Sequence, residues 1–331
     1  MLPTRPLRLA MNLNAALTGL FLVCLTGTAH ALEGHASLQW SDQIGAPRVV
    51  TPTAVAMPDL SAQSALVFDQ ATGQPLLAKN AAMQSPIASI TKLMTAILVL
   101  DAGQPLDEKI TITSADRDTL KGTGSRLGIG ASYTRGQLLH LALIASDNRA
   151  AHALARNAPG GLERFVDQMN RMARVLGMQH TFFVEPTGLS SSNQSTALDL
   201  ARLADHAFQH YPEIRQISTA GSYNLGTQRV VLKKKRQKAR VLYRPVNFHN
   251  TNRLTRMDDW HIGLSKTGFI NEAGHCLVMQ ANVAQRDVII VLLDAGGNNS
   301  RAGDAARIKA WLESDPAMHR VGIPQQPASR T

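Results

Sequence analysis

The sequence has little cysteine and few aromatic residues. Cys24 and Cys276 are its two cysteines among 331 residues, and aromatic side chains make up 5% of the chain. Cys24 lies in a segment that we expect to be removed, so the mature protein could form no internal disulfide. Apolar residues make up 44% of the chain, which is enough for a sizeable aliphatic core. The composition therefore excludes both a small domain stabilised by disulfide bonds and a disordered chain.

The first thirty residues lack acidic side chains. Arg5 and Arg8 precede an apolar run over residues 15–25, and Ala29 and Ala31 follow with the spacing of a signal-peptidase site. The run is shorter than the roughly 20 residues that a membrane span requires. We therefore predict a cleaved signal peptide over residues 1–31 and an exported, periplasmic protein that is soluble or loosely associated with the membrane.

The rest of the chain predicts an antiparallel sheet with helices packed on it. We expect a poorly ordered leader over residues 32–61, a folded domain over 62–315 with a helical subdomain over roughly 103–218, and a polar tail over 316–331. Strand patterns occur at both ends of the domain, and helical periods lie between them and near the C-terminus. The predicted strands are 65–69, 75–78, 229–232, 240–243, 262–270, 276–283 and 288–294, and the helices include 149–156, 161–176, 196–208 and 302–312. The fold class is thus α/β of the α+β type.

The most informative stretch is a predicted buried helix over residues 86–100. Pro86 suits its first turn, and Ser89 and Lys92, three residues apart, share one face near its start. A lysine in apolar surroundings loses hydration, which lowers its pKa and lets the neutral amine accept a proton from a serine. This pair predicts an activated nucleophile. By itself the Ser-x-x-Lys pattern arises by chance about once in a chain of this length, so it needs companions.

Two further motifs follow the first in the chain. One lies between two predicted helices and the other lies within a predicted strand. In chain order the three motifs are Ser89-Ile90-Thr91-Lys92, Ser146-Asp147-Asn148 and Lys266-Thr267-Gly268.

The order and separation of these motifs resemble those of the serine penicillin-recognising enzymes. Four stretches, 86–101, 141–155, 183–189 and 263–274, are similar to the low-molecular-mass D-alanyl-D-alanine peptidases, most closely to their endopeptidase branch. The resemblance extends from about residue 64 to residue 312. It implies a β-lactamase/DD-peptidase-like fold, in which an antiparallel sheet flanked by helices is joined by an all-helical subdomain.

The resemblance also implies an acyl-enzyme mechanism with named roles. Ser89 would attack the carbonyl of a D-alanyl peptide bond, Lys92 would accept its proton, and Ser146 would relay a proton to the leaving amine. The backbone N–H groups of Ser89 and Phe269 would form the oxyanion hole.

Four other residues would bind the substrate. Asn148 would hold a substrate amide, and Lys266 and Thr267 would bind a substrate carboxylate. Gly268 would let the substrate backbone lie close to the strand. Taken alone, Lys266 would more often be a solvated lysine at a sheet edge, and only the company of the other two motifs favours the binding role.

The implied function is hydrolysis of D-alanyl cross-links in peptidoglycan peptides, with β-lactams as covalent inhibitors and no cofactor or metal. A D-alanyl-D-alanine carboxypeptidase is an alternative, but carboxypeptidases of the family carry a further β-rich domain and a terminal amphipathic helix, which we do not expect here. A non-catalytic wall-binding scaffold is a third alternative, but we would expect it to lack one or more of the key residues of the three motifs, and all of them are present here. A β-lactamase of one major class would carry a Glu-x-x-x-Asn loop, whereas Glu185 is followed four residues later by Leu189.

Much of the net charge of +10 comes from one segment. It predicts either a solvated hairpin tip or an arm that contacts an anionic wall polymer or a membrane surface, and an exported chain makes nucleic acid a poor partner. The residues proposed for that contact are Lys233, Lys234, Lys235, Arg236 and Lys238. His206 and His210 could share a metal, but a third ligand is not evident, so we expect a surface pair.

Overall fold

The computed structural model describes residues 57–232, 240–297 and 299–314. The predicted signal peptide, most of the predicted leader, the lysine-rich turn at 233–239 and the polar tail lie outside the described residues. The strands are β1 (Ala62–Asp69), β2 (Gln74–Lys79), β3 (Ser85–Pro86), β4 (Lys109–Thr111), β5 (Ser132–Thr134), β6 (Gln194–Ser195), β7 (Ser222–Leu232), β8 (Arg240–His249), β9 (His261–Ile270), β10 (Gly274–Val283) and β11 (Arg286–Ala295). The helices are α1 (Lys92–Asp101), α2 (Arg135–Ile144), α3 (Asn148–Arg156), α4 (Gly161–Val175), α5 (Ala197–His210), α6 (Pro212–Thr219) and α7 (Ser300–Ser314).

Five strands form one antiparallel sheet in the order β2-β1-β11-β10-β9. The predicted sheet, built from an N-terminal hairpin and C-terminal strands, is therefore confirmed. Strands β1, β10 and β11 are almost continuously buried, as expected for strands covered on both faces. Helix α7 packs Ile308 and Leu312 into one core with Val67 and Ile290, while α5 also contacts β1, β10 and β11. Helices thus cover the sheet and leave β9 at one of its edges.

Helix α1 is the buried helix predicted from the sequence, but it begins later than expected. Eight of its ten residues are buried, from Lys92 to Val99. The expectation that Pro86 occupies its first turn is wrong, because Pro86 lies in β3 and pairs with Gln194 of β6. A 3-10 turn, Ala88–Thr91, precedes the helix, and Ala88 has a φ of +46°, which interrupts a regular helix. Ser89 consequently lies on this turn rather than in α1.

The end of the predicted leader belongs to the folded domain. Residues 57–61 are described, and Leu60 is 5% exposed, which contradicts a loosely ordered leader as far as residue 61. The buried carboxylate of Asp304 on α7 accepts hydrogen bonds from the N–H and hydroxyl of Ser61, both at 3.0 Å, and from the N–H of Ala62 at 2.8 Å. These bonds join the start of β1 to the C-terminal helix.

The middle of the chain is largely helical, as predicted. Helices α2 to α5 correspond to predicted helical stretches, and Thr134 caps α2 by accepting a hydrogen bond from the N–H of Gln137 at 3.1 Å. Helix α6 and the short strands β4 and β5 were not predicted from the sequence. The two strands on either side of the lysine-rich turn are confirmed as the paired β7 and β8. Across the described ranges, no helix combines the length and apolar character that a membrane span needs.

We predict that Asp304→Ala destabilises the fold strongly, because it leaves the buried N–H group of Ala62 without an acceptor and removes the two part-buried hydrogen bonds from Ser61. A buried orphaned donor costs about 1–3 kcal/mol and a lost part-buried hydrogen bond about 0.5–1.5 kcal/mol, so the free energy of unfolding should fall by about 3 kcal/mol in urea titrations. Asp259→Ala is the matched control, since the carboxylate of Asp259 is largely exposed and pairs with Lys309 of the same helix. An equal loss of stability in the two variants would contradict this account.

Candidate active site

The structure brings the three predicted motifs to one cleft. Ser89 lies on the 3-10 turn before α1, Ser146 lies between α2 and α3, and Asn148 begins α3. The third motif lies on β9. Lys92 Nζ is 2.8 Å from Ser89 Oγ and 2.7 Å from Asn148 Oδ1, and Lys266 Nζ is 3.0 Å from Ser146 Oγ. Residues separated by more than a hundred positions in the chain are thus in direct contact.

Lys92 is fully buried and its amine has three hydrogen-bond acceptors. Besides Ser89 and Asn148, the backbone carbonyl of Thr187 accepts from Nζ at 2.6 Å. Burial lowers the pKa of Lys92 to about 8, although the charge of Glu185 acts in the opposite direction. Roughly one amine in ten is therefore neutral at pH 7. The amine can accept a proton from Ser89 at mild pH.

Lys266 is also buried, being 1% exposed, so the alternative of a solvated edge lysine is wrong. Its Nζ donates to Ser146 Oγ and to the carbonyl of Thr267 at 2.8 Å. Burial lowers its pKa well below the ordinary value, and the charges of Lys92 and Arg301 lower it further. A carboxylate that reached this amine would supply a counter-charge and favour its protonated form. The site can therefore hold an anion at one end.

The turn that carries Ser89 lies between two glycines. Gly188 has a φ of +82°, and a Cβ there would overlap the carbonyl oxygen of Ala88 and lie 2.8 Å from the backbone nitrogen of Ser89. A Cβ at Gly268 would lie 2.9 Å from the carbonyl oxygen of Ile87. Strand β9 and the loop at residues 183–190 thus approach the turn more closely than a side chain would allow. Sequence reasoning assigned a role to Gly268 but not to Gly188.

Glu185 closes the loop that carries Gly188. Its carboxylate accepts hydrogen bonds from the N–H of Thr187 at 2.7 Å, the N–H of Gly188 at 2.6 Å and Nδ2 of Asn193 at 3.1 Å. The hydroxyl of Thr187 also donates to it at 2.5 Å. The carboxylate is therefore occupied in positioning the loop, whose Thr187 carbonyl contacts Lys92. This role was missed, although residues 183–189 form one of the stretches that carry the family resemblance.

The second motif is held by a strained linker and a helix cap. Ser146 has a φ of +57°, which is uncommon outside glycine, and the side chain of Asp147 accepts the N–H of Ala150 at 2.9 Å to cap α3. Asn148 Nδ2 donates to Thr123 Oγ1 at 2.9 Å. The amide of Asn148 is thus oriented from both sides, by Lys92 at its oxygen and by Thr123 at its nitrogen.

Two residues near Gly268 complete the wall formed by β9. Phe269 is 52% exposed and its ring stacks on that of His275 with centroids 4.4 Å apart. Arg301 of α7 donates to the carbonyl of Gly268 at 3.2 Å. Sequence reasoning missed Arg301, because α7 follows β11 and no local pattern links it to the third motif. Thr267 Oγ1 lies 2.6 Å from Thr251 Oγ1, which fixes the hydroxyl beside Lys266.

The other residues considered from the sequence lie elsewhere. The rings of His206 and His210 are 4.7 Å apart on α5, and the described part of the chain contains no cluster of three or more metal-ligating side chains. Cys276 is buried in β10 as expected, and burial raises the pKa of its thiol to about 11. The basic residues of the lysine-rich turn are not among the described residues.

Comparison with known proteins agrees with this geometry. A family model described as D-alanyl-D-alanine carboxypeptidase matches residues 51–297. A D-alanyl-D-alanine endopeptidase of Pseudomonas aeruginosa is 45% identical over 260 residues, covering 77% of this chain and 78% of that protein. The D-alanyl-D-alanine endopeptidase of Escherichia coli is 40% identical over 280 residues, covering 82% and 85%.

Solved structures give the same picture. The Streptomyces K15 DD-transpeptidase is 29% identical with a TM-score of 0.67, covering 78% of this chain and 98% of that one. Penicillin-binding protein D2 of Listeria monocytogenes in its ampicillin-bound form is 28% identical with a TM-score of 0.64, covering 78% and 99%. The fold with its antiparallel sheet and flanking helices is therefore that of the penicillin-recognising enzymes.

We predict that Gly188→Ala displaces the turn that carries Ser89, because the added methyl overlaps the carbonyl of Ala88. The rate constant for acylation by a fluorescent penicillin should fall at least about a hundredfold, as expected when a reacting group moves by about 1 Å. Gly177→Ala is the matched control: Gly177 also has a positive φ, +67°, but a Cβ there meets nothing within 4 Å. Equal acylation by the two variants would show that the close approach is unimportant.

Proposed function

This chain belongs to the D-alanyl-D-alanine carboxypeptidase family of serine peptidases, and from this premise we propose that it is a D,D-endopeptidase that hydrolyses the D-alanyl cross-links of peptidoglycan. The observation that carries the endopeptidase assignment is that two relatives at 45% and 40% identity, each matched over more than three quarters of its length, are named D-alanyl-D-alanine endopeptidases. A carboxypeptidase reaction on terminal D-alanine would be minor. The contacts among the three motifs argue against a non-catalytic scaffold.

In the proposed reaction the substrate peptide lies along the edge of β9. The carboxylate beside the scissile amide binds Lys266 and Thr267, and a substrate amide binds Asn148. The carbonyl oxygen of the D-alanyl residue accepts hydrogen bonds from the backbone N–H groups of Ser89 and Phe269. Such donors stabilise the developing oxyanion by a few kcal/mol.

Acylation then proceeds through the contact between Ser89 and Lys92. Neutral Lys92 takes the hydroxyl proton as Ser89 Oγ bonds to the carbonyl carbon, giving a tetrahedral intermediate. The carbon–nitrogen bond breaks, and the departing amine takes a proton relayed by Ser146 from the buried pair of lysines. Water later attacks the ester, releases the peptide with a free D-alanyl carboxylate and returns a proton to Ser89 Oγ.

A β-lactam would acylate Ser89 by the same steps and leave slowly. Its amide nitrogen stays tethered to the acyl group after the ring opens, so it continues to occupy the leaving-group side of the cleft. Glu185 already accepts several hydrogen bonds within its own loop and is not available to position a hydrolytic water. This supports a penicillin-binding enzyme rather than a β-lactamase.

The cellular setting follows from the sequence and belongs to the same proposal. Residues 1–31 would export the protein to the periplasm, where it would open cross-links during wall growth and shape maintenance. The basic segment that contains Lys233, Lys234, Lys235, Arg236 and Lys238 would contact an anionic wall polymer or a membrane surface. Its charge is the argument for this contact.

We predict that the purified mature protein converts cross-linked peptidoglycan dimers to monomers, as measured by mass spectrometry of the products. Ser89→Ala should abolish both dimer cleavage and covalent labelling by fluorescent penicillin. Ser192→Ala, which removes the hydroxyl of an exposed serine outside the cleft, should leave both unchanged. Rapid release of free D-alanine from an uncross-linked pentapeptide, with dimers left whole, would refute the endopeptidase assignment.

We predict that the acylation rate constant depends on the pKa of Lys92. Because the amine must be neutral to accept a proton and its pKa is lowered to about 8, the rate constant should rise about tenfold between pH 6 and 7 and level off above pH 8. Lys92→Ala should lower acylation at least about a hundredfold. Lys109→Ala, at an exposed lysine of β4, serves as the control, and normal acylation by Lys92→Ala would require another base.

A further inference from the structure

A cavity outside the three motifs lies between β5 and α2 on one side and β7 on the other. Its volume is about 510 Å³, which is within the range of small-molecule sites, and none of the described residues that line it is acidic. The mechanism proposed above uses none of these residues. The residues that line the cavity include Arg126, Ser132, Tyr133, Gln137, Leu225 and Thr227.

The guanidinium of Arg126 is held at this cavity by two contacts with β8. Its central carbon lies 3.6 Å from the ring centroid of Phe248, and its Nη1 donates to the carbonyl of Asn247 at 2.8 Å. Phe248 is 2% exposed, so its ring is a fixed support for the planar cation. The bond to Asn247 uses one of the five N–H donors of a guanidinium. Arg126 is therefore preorganised to bind an anion that enters the cavity.

The segment before Arg126 connects the cavity to the second motif. Ser125 Oγ donates to Asp147 Oδ2 at 2.8 Å, and Asp147 directly follows Ser146 in the chain. In the proposed reaction, on which this inference rests, Ser146 relays a proton to the leaving amine. The cavity therefore adjoins the end of the cleft from which the leaving group departs.

The chain after β8 connects the cavity to the third motif at the same end of the cleft. Thr251 Oγ1 lies 2.6 Å from Thr267 Oγ1, and Thr251 comes three residues after Phe248. Three residues of extended chain span at most about 11 Å. Thr267 and Lys266 bind the carboxylate beside the scissile amide in the proposed reaction. A peptide that departs with the leaving amine can therefore extend from these two residues to Arg126.

The two peptidase reactions differ in what departs on this side of the cleft. A carboxypeptidase releases D-alanine, whose one carboxylate is already bound by Lys266 and Thr267, so nothing remains to enter the cavity. A cross-link releases a whole peptide strand, which has at least one further carboxylate at its own C-terminus. A guanidinium can bind such a carboxylate through two parallel N–H groups. The cavity thus fits the larger leaving group.

We propose that this cavity is a subsite for the leaving peptide strand of a cross-link, and that Arg126 binds a carboxylate of that strand at a distance from the scissile amide. The exposed hydroxyls of Ser132 and Thr227 form hydrogen bonds with its peptide groups. The subsite favours cross-linked substrates over terminal D-alanine. It takes no part in the bond-making steps at Ser89.

The test uses three synthetic substrates that share one donor peptide and differ in what leaves. The first releases D-alanine, and the second releases an unmodified peptide strand. The third releases the same strand with every carboxylate, except the one beside the scissile amide, converted to an amide. The mature wild-type protein should cleave the second with a kcat/KM about three- to tenfold higher than the third, as expected for one partly exposed charge pair. Equal values for these two substrates would overturn the proposal.

Substitutions assign the charge to its residue. Arg126→Met keeps an unbranched side chain beside Phe248 but removes the charge, so the ratio of the second to the third substrate should fall to about one. Arg126→Lys keeps the charge without the planar fork and should retain part of the ratio. Arg174→Met, at an exposed arginine of α4, is the matched control and should retain all of it. A wild-type ratio in Arg126→Met would refute the assignment.

A bulky side chain in the cavity tests whether the leaving strand enters it. Thr227→Trp places an aromatic ring at an exposed position of β7, where a strand accommodates it. The kcat/KM of the second substrate should then fall at least about threefold relative to that of the first. Thr227→Val has nearly the volume of threonine and should keep the wild-type relation. An unchanged relation in Thr227→Trp would show that the strand lies elsewhere.

Two further measurements separate this proposal from the proposed function. Acylation by benzylpenicillin, whose leaving amine carries no second peptide, is measured for every variant, so a displaced Ser89 would be recognised. If the wild type cleaves neither cross-linked substrate, the endopeptidase assignment fails, and the subsite is then tested by fluorescence anisotropy of the labelled leaving strand with the Ser89→Ala protein. Adding Arg126→Met should weaken this binding about three- to tenfold, and equal binding by the two proteins would refute the subsite.

Discussion

The site depends on the burial of one amine. Lys92 lies in a helix whose surface is almost entirely apolar, and removing its ammonium from water is costly. Acceptors from three separate segments offset this cost: the hydroxyl of Ser89, the amide oxygen of Asn148 and the backbone carbonyl of Thr187. The same desolvation brings the pKa of the amine to about 8. The interaction that holds the three segments together is thus also the one that makes the lysine able to accept a proton.

Two strained backbone conformations lie beside these contacts, and the surrounding structure holds them in place. Ala88 and Ser146 both have positive φ values without being glycines, and each lies next to or within a motif that contacts a buried lysine. The turn at Ala88 is held between the loop of Gly188 and strand β9, whose register in the five-stranded sheet is set by its pairing with β10. Rigid elements therefore fix conformations that an isolated peptide would rarely adopt, and they place the hydroxyls before a substrate arrives.

Two contacts connect the segments that carry the second and third motifs. Lys266 contacts Ser146, and Lys121 contacts Glu272. Asp118, Thr123 and Asn148 form a continuous hydrogen-bonded path between the backbone of Lys121 and the amine of Lys92. A substrate strand added to the edge of β9 would lie between these contacts. The residues proposed for substrate recognition and those proposed for proton transfer are therefore joined by one set of hydrogen bonds.

The sequence by itself determined the elements and the chemical types. Strand patterns located the central sheet, and helical periods located the helices between its strands. The three motifs identified Ser89, Lys92 and Lys266 as residues that could work together. Local patterns could not show that a 3-10 turn would precede α1, because the φ of Ala88 depends on the strand and loop packed around it. Nor could they reveal the Thr187 carbonyl, Arg301 or the pair Lys121 and Glu272. These contacts join segments that are distant in the chain, and the packing of the sheet against the helices alone decides which of them meet.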